Sequence, residues 1–448
     1  MTINIKRTNG LAESLAALTR KGAPKEAALP PHVVARNTEI FGEVLTAHQV
    51  VERIVEDVRA NGDVAVRKYT KAYDGRDVAE FEIPRSEWDA ALQRIDPNLR
   101  AALELTAARV RSFHEKQKRE SWFNADENGI FGQVIRPLER VGIYTPGGSA
   151  ALPSSLLMTA VPARVAGVEE IIIAAPPRGD ESVPDIILAA AAIANVDRVF
   201  AIGGAQAIAA LAYGTESVPQ VDKICGPGNL FVALAKQRVN GVVAIDAVAG
   251  PTETLVIADD SANIELVAAD LIAQAEHDAV ASAILITTSP SIADGVVAEI
   301  EAQATLLPRL EVITASLDAN GVIALVDSLD DAITCGNAYA PEHMCLEVAD
   351  AWSLVPQIRN AGGIFVGENS PEAMGDYSAG PSHVMPTMGT ARFSSPANVN
   401  DYQKIISLFA ASDTAVQNLG PSTVTFAQAE GLDGHAASIQ RRLKAKKD

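Results

Sequence analysis

The sequence predicts an α/β protein built on doubly wound parallel sheets, and three observations predict it. Hydrophobic residues make up 48% of the 448 and aromatics only 5%, so the core must be built of Ala, Val, Ile and Leu, as in sheets buried on both faces. From about residue 140, short apolar runs alternate with helical stretches, the pattern of βαβ units. Several of the intervening turns are glycine-rich. The extent of the alternation implies two sheets, and the length allows about three domain-sized units, or two large ones with appendages.

Taken in order, residues 1 to about 40 are polar and contain Pro24, Pro30 and Pro31, which suggests an arm or small cap. Thr46-x-x-Gln49 is a capping box ahead of Val51, Ile54, Val55 and Val58, a helical stripe that stops at Gly62. A second helix runs to about Gly75 and a third from Leu99 to Lys118, whose charged run (Arg109, Arg111, His114, Glu115, Lys116) reads as a solvated face. Beyond residue 140, 170–175, 196–202, 221–225, 242–245, 254–258, 283–287 and 364–366 read as buried strands. Residues 154–166, 186–194, 205–212, 231–239 and 266–277 read as the helices between them. No strong repeat or low-complexity segment is visible.

Composition also excludes. A formal charge of −19 argues against a polyanionic partner, because nucleic-acid binding needs clustered Lys and Arg to displace counterions. Cys225, Cys335 and Cys345 lack C-x-x-C spacing and are too few for a disulfide framework, which fits a reducing compartment. The amino terminus has no apolar signal core, and the most apolar segment, 186–196, is too short to cross a bilayer. The expectation is a cytoplasmic protein with no membrane partner.

The chemistry concentrates around Asn337-Ala-Tyr-Ala-Pro-Glu-His-Met-Cys-Leu346. Pro341 ends the preceding element and sets the entry of Glu342 and His343 into an apolar-alternating run, so the pair lies at a strand edge. Neighbours on an extended chain point to opposite sides, so this carboxylate and imidazole could approach one reacting carbon from two directions. Taken alone, such a dipeptide is more often a turn with two surface polar residues, because such pairs are common. Gln274 and His277, at i and i+3 near a helix end, could share a metal ion through an oxygen and a nitrogen. Asp376 and His383 sit in a Gly/Pro/Ser loop, and Glu430 and His435 offer another carboxylate and imidazole near the carboxyl terminus. Of seven histidines, four (277, 343, 383 and 435) occupy such settings in the second half, enough to build a site with positions open to substrate. The turns Tyr144-Thr-Pro-Gly-Gly-Ser-Ala150, Gly203-Gly-Ala-Gln206 and Cys225-Gly-Pro-Gly-Asn229 each open a helix. None is G-x-G-x-x-G, but together they fit a phosphate-bearing cofactor at the carboxyl ends of one sheet's strands.

In their order and spacing, Tyr144-Thr-Pro-Gly-Gly148, Gly203-Gly-Ala-Gln-Ala207, Gly226-Pro-Gly-Asn229, Ala249-Gly-Pro-Thr-Glu253, Gln274-Ala-Glu-His277, Pro341-Glu-His343, Gly375-Asp-Tyr377 and His383-Val-Met-Pro386 resemble the histidinol dehydrogenase family, from about residue 35 to the end. The resemblance implies two incomplete Rossmann-like domains: residues 41–143 with 252–397, carrying the metal and catalytic residues, and residues 144–251, carrying the NAD contacts. A small arm (1–40) precedes them, and a tail (398–448) follows that exchanges in a homodimer with shared active sites. It implies one zinc ion per subunit on Gln274, His277, Asp376 and His435, the last presented to the neighbouring subunit. NAD contacts match Tyr144, Gln206 and Asn229. Substrate contacts match Thr252, where the family usually has serine, together with Glu430, His343 and the metal ligands. The role of His383 stays unassigned.

The implied activity is the NAD-dependent, four-electron oxidation of L-histidinol to L-histidine through L-histidinaldehyde, the last steps of histidine biosynthesis. Zinc would hold the substrate's amino and imidazole nitrogens. His343 would take the alcohol proton, and Glu342 would activate water on the aldehyde. Cys345 offers a rival route by trapping the aldehyde as a thiohemiacetal, against the commoner case of a buried strand cysteine. A paralogue acting on another amino alcohol or diol is an alternative, with Glu430 and His435 counting against it. A non-catalytic binding protein is another, with Glu342 and His343 counting against that.

Overall fold

The computed structural model describes residues 3–20, 29–78, 80–147, 151–178 and 183–445. In chain order its strands are β1 (Lys6–Asn9), β2 (Trp122–Asp126), β3 (Gly129–Pro137), β4 (Arg140–Tyr144), β5 (Glu170–Ala174), β6 (Arg198–Phe200), β7 (Lys223–Cys225), β8 (Ala244–Ile245), β9 (Glu253–Ala258), β10 (Ser282–Thr287), β11 (Val322–Leu325), β12 (His343–Glu347), β13 (Gly363–Val366) and β14 (Gln403–Ala411). They form a parallel five-stranded sheet, β6-β5-β4-β7-β8, a parallel six-stranded sheet, β1-β11-β10-β9-β12-β13, and an antiparallel three-stranded sheet, β14-β3-β2. Both parallel sheets are wound alike. Three successive strands run outward from the centre, and the next two start again on the other side, so each sheet reverses once, at β4/β7 and at β9/β12. The expected strands and helices beyond residue 140 are all present.

Each sheet is buried on both faces along its central strands, which carry near-continuous apolar runs. In β4 and β5, Val141, Ile143, Ile171 and Ile173 face helices Pro153–Ala166 and Asp185–Ile193, while Tyr144, Ile172 and Ala174 face Gly204–Tyr213 and Leu230–Val239. In β9 and β12, Val256, Ala258 and Cys345 face helices Ile264–Ala275 and Pro290–Ala304. Leu255, Ile257, Met344 and Leu346 face Leu329–Tyr339. Alternating side chains thus divide between two cores, as the pleat requires.

Two expectations about organisation are corrected. The stretch 41–143 does not sit on the six-stranded sheet that carries the candidate metal and catalytic residues. Helix Ala47–Asp74 packs Val50, Ile54 and Val58 into the core of the five-stranded sheet, and Trp88 and Val110 of the next two helices fill its other core. Beyond the first of these helices, Phe81–Ile83 bridges antiparallel to β6, with Ala201 N donating to Phe81 O (2.7 Å) and Ile83 N to Val199 O (2.8 Å). Those bonds fix the segment to the far sheet. Residues 1–40 are also more than a cap: β1 is an edge strand of the six-stranded sheet, paired in parallel with β11. An edge strand is solvated along one side, so Lys6-Arg-Thr-Asn9 carries no apolar run to betray it.

Most local readings hold elsewhere, but His114, expected on a solvated face, is fully buried with its Nδ1 2.7 Å from the Val110 carbonyl. Thr46 and Gln49 form the capping box, and the backbone turns out of the helix at Gly62 (φ 51°) before continuing to Asp74. The tail contributes β14, which pairs with β3 over nine residues, followed by helices Asp413–Ala429 and Asp433–Lys444. Trp122, Phe123, Ile405, Ile406, Phe409 and Phe426 are exposed on this appendage. Among the described residues no helix is long and apolar enough to cross a membrane.

Candidate active site

Helix Leu329–Tyr339 ends at Ala340, which takes a left-handed conformation (φ 55°, ψ 65°). Pro341 then turns the chain so that His343 opens β12 beside Thr254 of β9. Both strands begin here, so the site grows at the amino edge of the six-stranded sheet. Glu342 and His343 do not diverge as alternation predicts. Glu342 precedes the first strand residue, where the pleat does not yet apply, and its Oε2 lies 3.9 Å from His343 Nδ1.

Both side chains are buried and both are held by the same residue, Glu253. Its backbone N–H donates to Glu342 Oε2 (3.0 Å), where the Thr252 hydroxyl also donates (2.6 Å). Its carbonyl faces His343 Nδ1 at 3.1 Å. A carbonyl only accepts, so Nδ1 carries the proton and Nε2 keeps a lone pair. Nε2 is buried and without a hydrogen-bond partner among the described residues, 3.9 Å from Asp376 Oδ1. Burial pushes the Glu342 carboxyl up to about 7, against the opposing pull of His343 and its two hydrogen bonds. A free imidazole lone pair and a carboxyl poised near neutrality make an acid/base pair.

Next to them, one ligand atom each from His277, Glu372 and Asp376 lie within 4.8 Å of one another. His277 follows the end of helix Ile264–Ala275, which leads back to the amino edge, and Gln274 sits one turn earlier, fully buried. Glu372 and Asp376 are i and i+4 on helix Glu372–Tyr377. Thr254 Oγ1 stands between Glu372 Oε2 and Gln274 Oε1, the latter at 3.1 Å. One hydroxyl proton cannot serve both oxygens, and a proton on Glu372 resolves the conflict. Burial, with Asp376 nearby, raises that carboxyl well above its usual range. Gln274 Nε2 is buried without a partner, so the amide has an unmet atom beside the cluster. An imidazole nitrogen, carboxylates and an amide oxygen are the donor set of a borderline cation such as zinc, so the residues present fit that ion.

His383 ties this cluster to the other sheet. Its Nδ1 donates to the Asp376 carbonyl (2.7 Å), and its Nε2 lies 3.2 Å from the Ser155 hydroxyl at the start of helix Pro153–Ala166, just beyond the carboxyl end of β4. The carboxyl edge of the five-stranded sheet thus meets the amino edge of the six-stranded one. Tyr144 ends β4, and its hydroxyl accepts from Gly204 N (3.2 Å). Asn229 follows β7 and caps helix Leu230–Val239 through Phe231 N (3.0 Å) and Val232 N (3.2 Å). Tyr144 and Asn229 flank the β4/β7 reversal, where open α/β sheets take ligands. Gln206 is buried with its Nε2 unpartnered. Gly226 (φ 102°) lets the two loops touch, since a Cβ there would come within 2.2 Å of Tyr144 O. Residues 148–150 of the first glycine turn lie outside the described residues.

Glu430 and His435 are not brought to the site within the chain. Both are exposed on the tail's helices and take no part in the metal-type cluster. Cys345 is fully enclosed, and its thiol is pushed well above the usual range by burial and then by surrounding carboxylates. No thiolate is available there for aldehyde capture. Sequence reasoning missed Glu372 and Glu253. The spacing Glu372-x-x-x-Asp376 would have placed two carboxylates on one helical face, whereas Glu253 acts mainly through its backbone, which leaves no signal in residue type.

A doubly wound pair of sheets meeting at a buried carboxyl–imidazole pair and a metal-type cluster, with a crevice at the β4/β7 reversal, fits an oxidoreductase. Comparison with known proteins specifies which. Residues 41–443 match the family model for histidinol dehydrogenase, and the chain belongs to that family. It is 51% identical to a histidinol dehydrogenase of Deinococcus radiodurans over 435 residues, 97% of this chain and 99% of that protein. It is 50% identical to one from Dehalococcoides mccartyi (strain CBDB1) over 88% of this chain and 91% of that protein. The crystal structure of histidinol dehydrogenase from Elizabethkingia anophelis superposes with a TM-score of 0.90 at 33% identity, covering 99% of each chain.

Proposed function

We propose that this enzyme oxidises L-histidinol to L-histidine through L-histidinaldehyde, at the end of histidine biosynthesis, using zinc and NAD. The observation that carries the reading is the unpartnered Nε2 lone pair of His343, set beside Glu342 and facing the His277–Glu372–Asp376 cluster. Bound NAD would supply the hydride acceptor in the crevice of Tyr144, Gln206 and Asn229. Bound zinc would supply the charge that fixes the substrate's amino and imidazole nitrogens, on Gln274, His277, Asp376 and His435 of the partner subunit.

The chain's own groups do the rest. His343 Nε2 takes the hydroxyl proton as the carbinol carbon is oxidised. Glu342, as carboxylate, takes a proton from the water that adds to the aldehyde, and His343 serves again when the hydrate is oxidised. Thr252, which replaces the family's usual serine, holds Glu342 through the hydroxyl both residues share. Burial of the pair keeps the aldehyde from bulk water between steps. The exposed apolar residues of the tail and of β2 support a homodimer, because a face of that kind is normally covered, and a second copy there would bring Glu430 and His435 to its neighbour's site.

The test is NADH formed per L-histidinol consumed, with and without a zinc chelator. Two NADH per substrate, lost on chelation and restored by zinc, is the expected result. One would reduce the protein to a simple alcohol dehydrogenase, and none would remove histidinol as substrate.

A further inference from the structure

The amino-terminal segment reaches the catalytic pair through a single side chain. Strand β1 fixes the segment to the edge of the six-stranded sheet, and helix Gly10–Leu18 packs Leu11, Leu15 and Leu18 with Tyr339 and Met344. Arg20 follows. Its Nη2 donates to Glu253 Oε2 at 2.6 Å and its Nε to the Tyr339 carbonyl at 3.3 Å, with the guanidinium 4.2 Å above the Tyr339 ring. Glu253 is 3% exposed in its side chain and Arg20 28%, so the ion pair is largely shielded from solvent. The other Glu253 oxygen, Oε1, accepts from Met388 N (3.1 Å).

Every one of these bonds ends one or two links from the chemistry. The peptide groups of Glu253 donate to Glu342 and accept from His343. Tyr339 is the last residue of the helix that leads through Ala340 and Pro341 into the pair. Arg20 therefore grips both the residue that holds the pair and the element that delivers it. We propose that Arg20 and Glu253 are positioning residues, which fix the Glu342 carboxylate and the His343 imidazole in register, and that the amino-terminal segment is thereby part of the catalytic apparatus. The proposal rests on the acid/base reading of Glu342 and His343.

The physical reason is the narrow tolerance of proton transfer: a misplacement of about 1 Å can cost about a hundredfold in rate. Removing one partner of a buried ion pair also leaves the other charged and uncompensated, so Glu253 would seek a new partner and carry its peptide groups along. Neither residue is among the groups proposed to contact the substrate, so the loss belongs in kcat.

The experiment compares Arg20→Ala, Arg20→Lys and Glu253→Gln with the wild type in the zinc-loaded, full-length enzyme, counting active sites by a single-turnover burst and recording melting temperature. Arg20→Ala and Glu253→Gln should lower kcat per active site by about ten- to a hundredfold with KM for histidinol changed less than about twofold. Arg20→Lys, which keeps the charge but not the fork, should recover a large part of the loss. If Arg20→Ala does not fold, Glu253→Gln decides by the same criteria. A folded variant with fewer active sites but an unchanged kcat per site overturns the proposal, because that is what a purely structural role gives. His343→Asn is run alongside. If it keeps full hydride transfer, the acid/base reading itself fails; if it is inactive while Arg20 and Glu253 variants match wild type, only the positioning role fails.

Discussion

Glu342 shows what a buried carboxyl contributes and what it costs. With a folded value of about 7 against an ordinary 4.5, its acid form stabilises the fold fully below pH 4.5, and that contribution is lost as pH rises through about 7. Glutamine mimics the acid form and accepts the same bonds from Thr252 and Glu253. Glu342→Gln should accordingly melt above wild type at pH 8, by about 1–3 kcal/mol, with the difference vanishing near pH 4 in a thermal scan. The same variant should still bind NAD and histidinol yet stall at the aldehyde; free turnover of histidinaldehyde by it would dismiss the water-activation role. In the wild type, the step needing the carboxylate should speed up as pH rises through about 7, read as the acidic limb of the kcat profile. At this scale the dipeptide was legible because two titratable neighbours after a proline are visible in any sequence. The atom that makes it a site, His343 Nε2 left without a partner, depends on where the Glu253 carbonyl points, and no residue type encodes that.

Among elements, most buried strands announced themselves, though β4 and β11 did not, and the solvated β1, β2 and β14 went unread as well. Positions 253–258 and 343–347 are buried throughout, and Leu255–Ala258 and Met344–Leu346 stand out within them as apolar runs. Strand β2 is exposed along its whole length and β14 over most of it, and Trp122-Phe-Asn-Ala-Asp126 has no clean alternation; the Asn128-Gly129 turn that follows was the one signal of a hairpin there. The glycine turns were legible as tight strand-to-helix turns because the steric reason is local. Gly226→Ala tests the tightest of them. A Cβ 2.2 Å from the Tyr144 carbonyl, on a backbone at φ 102°, forces the β4 and β7 loops apart. NAD affinity should fall by about tenfold or more in a fluorescence titration, while zinc content per chain stays at the wild-type level.

For the whole molecule, placing residues 41–143 on the wrong sheet illustrates a limit of reading a chain in order. Amphipathic helices advertise one apolar stripe but not which of two similar sheets will receive it. Glu430 and His435 mark a second limit, because within one chain they stay exposed and join no metal-type cluster among the described residues. Mixing His277→Asn subunits with His435→Asn subunits should restore activity at one of the two sites of a mixed dimer; no recovery would mean that each chain supplies all its ligands. The three cysteines carry a last consequence. All are buried, and burial lifts the thiols of Cys225 to about 12, Cys335 to about 11 and Cys345 beyond. Thiolate is scarce at each, so maleimide and air should leave the enzyme intact. Its purification can dispense with dithiothreitol, a reagent that would otherwise strip the very ion whose removal and return must be measured.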